Sequence, residues 1–283
     1  MRQSSRNHNV HDQSSDISEG VFVLEPCAVC LKDGRTMPLH SDTQKLIQKV
    51  EKLSGRLVHV SEDQELKVMA TIAPARGIAP AHFLRYRPDT RSVDYLVAYQ
   101  LGFLMRLFSC PAEERWEVVA TREEQQRGIE AMGMTNFATD IAQSMIDQIV
   151  IQMRSFSVGT RVDDWIWKNL PDLWTQQEQA IRSQLAENEQ ALAPAVRKRF
   201  PKQLIDANSV MNAAYAVAWG EVLGESRYTI PFKALGYGAK ANELLEILKE
   251  TPDDPGADRE LIERWAKCLG LDGAFHFELH SLT

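Results

Sequence analysis

An α+β fold, with a small N-terminal sheet and a mainly helical C-terminal half, is predicted by three observations. β-Branched and aromatic residues cluster in short runs between residues 56 and 86. From Ser92 onward apolar residues recur almost wholly at helical spacing. At 283 residues and 44% hydrophobic content, the chain has enough apolar surface for one large core or two modest ones.

The elements follow in order. Residues 1–18 are mostly Ser, Asn, Gln, Asp and His, too poor in apolar surface to offset ordering entropy, and are expected to be a disordered tail. Val21 to Leu31 is rich in β-formers and Lys32-Asp33-Gly34-Arg35 turns the chain, which predicts a hairpin. Ser41 or Asp42 can cap a helix over Thr43 to Leu53, stopped by Gly55. Arg56 to Val60 and Lys67 to Ile72 read as strands, and Ala73 to Pro80 as a loop, since two prolines and a glycine interrupt regular structure. A third β-rich run, His82-Phe83-Leu84-Arg85-Tyr86, ends in the turn Arg87-Pro88-Asp89-Thr90, and a helix over residues 92–108 stops at Cys110-Pro111.

Ala112 to Met132 carries mixed charge within the helical part. Thr135 or Asn136 can cap a helix to about Arg154, whose Ile141, Met145, Ile149 and Met153 form a stripe facing a core. Past Gly159, Asp172 to Phe200 is a long polar helical pattern, and Leu204 to Leu223 is apolar nearly all round, as a central buried helix would be. Gly238 to Glu250 and Asp258 to Leu269 are short helices split by Pro252-Asp253-Asp254-Pro255-Gly256, and Ala274 to His280 alternates as a terminal strand. The expected division is a tail over 1–18, an α+β domain over 19–155 and a helical domain over 156–283.

Composition narrows the function. A net charge of −7 disfavours broad nucleic-acid binding, because neutralising phosphates calls for a basic face. Arg197-Lys198-Arg199 is the one dense basic run, and near a helix C-terminus it complements the helix dipole. There is no apolar stretch of membrane-spanning length and no secretory signal pattern at Met1, so a cytoplasmic location is expected. Phosphate-loop, dinucleotide-binding and serine-hydrolase motifs are absent from the sequence, and no cofactor is expected.

Few groups have the chemistry of a metal site. Cys27 and Cys30 form a C-x-x-C without the second pair that structural zinc sites use; reduced thiols, a mixed zinc site completed by His40 or His59, and a redox pair all remain open. Glu221 and Glu225 lie four apart near a helix end, and His276 and His280 share a strand face, each a pair without further ligands. Trp165, Trp167 and Trp174 fall within ten residues, which fits either a core or an interface, where tryptophan anchors are enriched.

One segment carries a resemblance. Val97-Ala98-Tyr99-Gln100-Leu101-Gly102-Phe103-Leu104-Met105, preceded by the strand and turn at 82–90, resembles the metal-binding helix of zincin-like regulatory peptidases of the ImmA/IrrE type over roughly residues 55–155. In that family the helix carries H-E-x-x-H, two zinc ligands one turn apart and a glutamate that activates water. Here Tyr99 and Phe103 stand at the histidine positions and Gln100 at the glutamate, so the resemblance implies a site without its chemistry. It also implies a third, carboxylate position on a second helix, with Asp140 and Asp147 the counterparts. The function it implies is a non-catalytic scaffold or regulator acting through protein contacts, in a bacterial stress or mobile-element setting. The alternatives are a metal-dependent hydrolase with ligands elsewhere, such as Cys27, Cys30 and His40, and a structural subunit of a larger complex. The protein partner and the oligomeric state are not specified by the sequence.

Overall fold

The computed structural model describes residues 39–281, and the architecture is α+β. The expected tail over 1–18, the hairpin over 21–31 and Cys27 and Cys30 lie outside the described residues.

Helix α1 (Ser41–Ser54) is capped by His40 and not by Ser41 or Asp42: the His40 Nδ1 accepts the Asp42 amide at 3.3 Å. Gly55 ends it at φ 67°, a left-handed conformation that a residue without Cβ adopts freely. Strands β1 (Leu57–Glu62), β2 (Ala70–Ala73) and β3 (Ala81–Tyr86) form a sheet of order β1-β3-β2. β1 runs parallel to β3, with Leu57 opposite Ala81, and β2 antiparallel, with Ala70 opposite Tyr86. The central strand buries Ala81, His82, Leu84 and Tyr86, so its side chains are covered on both faces. Helix α2 (Val93–Ser109) then packs against the sheet and α1, and Leu46, Val50, Leu84, Val97, Leu101 and Leu104 share one core.

A second sheet joins distant parts of the chain. β4 (Trp116–Val119) pairs antiparallel with β5 (His276–Leu279), Trp116 opposite Leu279. β4 lies in a stretch expected to be helical, and four residues are too few for local periodicity to reveal a strand whose partner is at the far end of the chain. Helix α3 (Arg122–Ala131) opens with a capping box in which Thr121 and Glu124 each bond the other's backbone amide.

Helix α4 (Thr139–Asn169) is 31 residues long and does not end near Arg154. The division expected at 155/156 therefore falls inside it. Its first part, with Ile146, Ile149 and Met153, belongs to the helical core, whereas Val162 and Ile166 belong to the core of α1, α2 and the sheet. Gly159 reads as a break because glycine disfavours helix by about 1 kcal/mol; here it is a helical residue that admits a neighbour, as described below.

The expected pattern over 172–200 resolves into α5 (Trp174–Gln190) and α6 (Pro194–Arg199), with Pro194 restarting the helix at its first turn. Helix α7 (Lys202–Val222) is the central helix expected, packed against α4, α5, α8 (Ile230–Ala234) and α9 (Gly238–Glu250). Helix α10 (Asp258–Leu269) closes the core with Leu261 and Trp265. The Asp258 carboxylate receives Arg106 Nε at 2.6 Å and Nη2 at 2.7 Å and Arg161 Nη1 at 3.0 Å, tying α2 and α4 to α10. Among the described residues no helix is long and apolar enough to cross a membrane.

Candidate functional site

Helix α2 presents its candidate residues in two directions. Tyr99 and Phe103, four apart, face α4, and Gln100 faces the sheet edge, where its Nε2 donates to the Ala70 carbonyl of β2 at 3.3 Å. The Tyr99 hydroxyl donates to the Ser155 carbonyl at 3.1 Å, and its ring meets Phe103 edge-on at 5.2 Å. The Arg154 guanidinium lies 5.1 Å from the centre of the Phe103 ring. Burial, followed by the nearby Asp163 carboxylate, pushes the Tyr99 phenol well above its ordinary value. It keeps its proton and is no phenolate ligand. Gln100 is a neutral amide, which cannot accept a proton from water, and the contacts of the three residues tie α2 to α4 and to β2.

The α4 residue that meets Tyr99 and Phe103 is Gly159. A β-carbon there would lie 2.1 Å from the Tyr99 hydroxyl oxygen and 3.3 Å from Phe103. The arrangement is reciprocal, since a β-carbon on Gly102 of α2 would lie 2.3 Å from Val162 Cγ1 of α4. Two glycines thus bring the helices close. The carboxylates expected from the resemblance are not at this seam: at about 1.5 Å per residue, Asp147 lies about 18 Å and Asp140 about 28 Å back along α4 from Gly159. Asp147 accepts Gln125 Nε2 at 2.8 Å, and Asp140 is exposed in the first turn.

The carboxylate that α4 brings to α2 is Asp163, one turn beyond Gly159 and 1% exposed. Tyr95 donates to its Oδ1 at 2.7 Å and Tyr215 of α7 to its Oδ2 at 3.3 Å. Burial pushes its carboxyl up to about 7, against the pull of the two phenols. Sequence reading missed it because α4 was expected to stop before it. An acid beside Val162 and four residues past Gly159, on a face that also carries Ile166, was the signal available.

The other candidate ligands are dispersed among local partners. His40, Asp42 and Asp172 bring ligand atoms within 4.8 Å of one another. However, the His40 Nδ1 accepts the Asp42 amide, which leaves the proton on Nε2, 3.8 Å from Asp172, and Lys45 Nζ sits 2.7 Å from Asp42. That is a capped helix start with one ion pair, Lys45 with Asp42. His59 stacks on Phe83 at 5.6 Å. His276 Nδ1 lies 2.7 Å from Glu124, and the buried His280 Nδ1 lies 3.1 Å from Glu117, so this pair does not converge. Glu225 lies beyond the end of α7 and pairs with Arg182 and Arg227, so it does not share a helix face with Glu221.

The tryptophans divide between the cores. Trp165 packs against the core of α1 and α2, with Lys49 over its ring at 5.7 Å, whereas Trp167 packs against the helical core. Trp174 stacks on Trp167 at 5.3 Å and donates its indole N–H to the Trp167 carbonyl, yet it is 45% exposed. Only Trp174 offers substantial surface. Comparison with known proteins finds no matching family model, no matching curated protein and no matching solved structure.

Proposed function

We propose that this chain is a non-catalytic, zincin-like scaffold or regulatory protein that acts through protein contacts in the bacterial cytoplasm, in stress response or mobile-element defence. The observation that carries the reading is the seating of Tyr99 and Phe103 on Gly159 of α4. A helix and three strands, the last of them central, precede the helix that carries Tyr99 and Phe103, an order compatible with a metallopeptidase core. The positions that would bind zinc are instead a bonded phenol and a packed phenyl ring. An exposed Trp174 favours the related reading of a subunit in a larger assembly. The alternative, a metal-dependent hydrolase using Cys27, Cys30 and His40, needs His40 to give up its capping bond.

A fluorogenic peptide mixture incubated with the full chain and added Zn²⁺ tests the proposal. No cleavage is expected from the natural protein or from Gln100→Ala. Cleavage that disappears in a folded Gln100→Ala variant would overturn it.

A further inference from the structure

We propose that the groove between α6, the start of α7 and the C-terminal ends of α3 and α10 docks an acidic peptide segment of a partner protein, anchored by an apolar side chain. The inference rests on the reading of this chain as a protein-contact regulator and names the surface and the chemistry of the partner. The groove has a volume of about 1000 Å³. Two turns of helix, a cylinder about 10 Å across and about 11 Å long, fill a comparable space.

Its walls invert the charge of the chain. Arg197, Lys198, Lys202 and Lys240 line it against a single acid, Asp206, in a protein whose net charge is −7. Lys202 is paired with Asp206, and Lys240 Nζ lies 2.9 Å from Glu243. Arg197 and Lys198 are exposed in the last turn of α6 and make no ion pair among the described residues. Two cations are thus left for an incoming carboxylate. The floor is apolar, with Met132, Ala207, Val210 and Leu269, and Leu235 stands 38% exposed at the rim.

This combination favours a peptide over a polynucleotide. A strand of phosphates needs many neutralising contacts along its length, and a chain this acidic repels it beyond one short basic run. An apolar floor rewards a buried side chain, which a phosphate backbone does not supply, while the cations on the rim select acidic partners and speed their encounter.

The test is fluorescence anisotropy of the full chain with a labelled peptide of about 14 residues carrying Leu and Glu at helical spacing, and a second with Lys in place of Glu. The Glu peptide is expected to bind saturably and the Lys peptide at least about tenfold more weakly. Arg197→Glu with Lys198→Glu is expected to weaken the Glu peptide at least about tenfold at an unchanged melting temperature, while Lys52→Glu with Arg91→Glu, on exposed sites elsewhere, changes it by less than about twofold. Absence of saturable binding, equal loss in both pairs, or tighter binding of tripolyphosphate or a single-stranded oligonucleotide would overturn the proposal. Peptide cleavage would overturn the non-catalytic reading and leave these binding outcomes unchanged, so the two failures are distinguishable.

Discussion

Tyr99 and Gly159 share one space: a β-carbon on Gly159 would stand 2.1 Å from the Tyr99 hydroxyl oxygen, while that hydroxyl donates to the Ser155 carbonyl one turn away. The helix that resembles a zinc helix is therefore held against α4 by a side chain at one of the ligand positions.

Gly159→Ala is expected to cost about 1–3 kcal/mol, the penalty of overpacking, in spite of alanine's better helix propensity. Because the clash is with the hydroxyl, Gly159→Ala combined with Tyr99→Phe should cost less than the sum of the two single changes. Urea denaturation of the four proteins in the cycle measures the coupling, and strict additivity would mean that the contact is not shared.

Two buried groups give stability opposite dependences on pH. The Asp163 carboxyl is raised to about 7, so the stability it contributes is full below its unfolded value of about 4 and is lost as pH rises towards 7. His82, whose Nδ1 accepts the Ala75 amide at 2.9 Å, is pushed down to about 4 by burial and by His280. Its contribution is present above the unfolded value of about 6.5 and is lost as pH falls towards 4. Between about pH 4 and 6.5 the two slopes oppose each other, each worth about 3–4 kcal/mol across its window. Asp163→Asn should leave stability rising with pH over this range, and His82→Asn should leave it falling. Denaturation at several pH values reads both, and a variant whose profile keeps the natural shape would contradict its assignment.

Asp258→Ala is expected to destabilise by about 3 kcal/mol, because it removes the carboxylate shared by Arg106 and Arg161, which is 4% exposed, and leaves them only the more exposed Asp253 and the Thr251 carbonyl. Thermal unfolding checks the size, and a loss below about 1 kcal/mol would mean that water replaces the carboxylate.

Alanine at Trp167 should cost about 3 kcal/mol, since its ring fills space between Trp174 and Trp219, whereas Trp174→Ala should cost about 1 kcal/mol or less. Light scattering of the Trp174 variant, alone and with co-purified protein, separates surface from core. Lost association at an unchanged melting temperature marks an interface.

Legibility in the sequence followed the range of the interactions. α1, α2, α7, α9 and α10 were readable because apolar spacing and stop residues such as Gly55 are local signals. The length of α4 was not, since Gly159 signals a break locally and is tolerated through its contact with Tyr99 on another helix. β4 escaped because its reason to be a strand is β5. Of the candidate site, Tyr99, Gln100 and Phe103 were singled out by a resemblance to H-E-x-x-H in spacing alone. Asp163 was not, because its partners Tyr95 and Tyr215 reach it only once α2, α4 and α7 are packed.

If α2 is a packing helix without metal chemistry, elemental analysis of the purified full chain shows it. Far less than one zinc per chain is expected, before and after incubation with Zn²⁺ and removal of excess. About one tightly held zinc per chain that survives Cys27→Ser, Cys30→Ser and His40→Gln would overturn this, whereas zinc lost in those variants sits away from Tyr99 and Phe103.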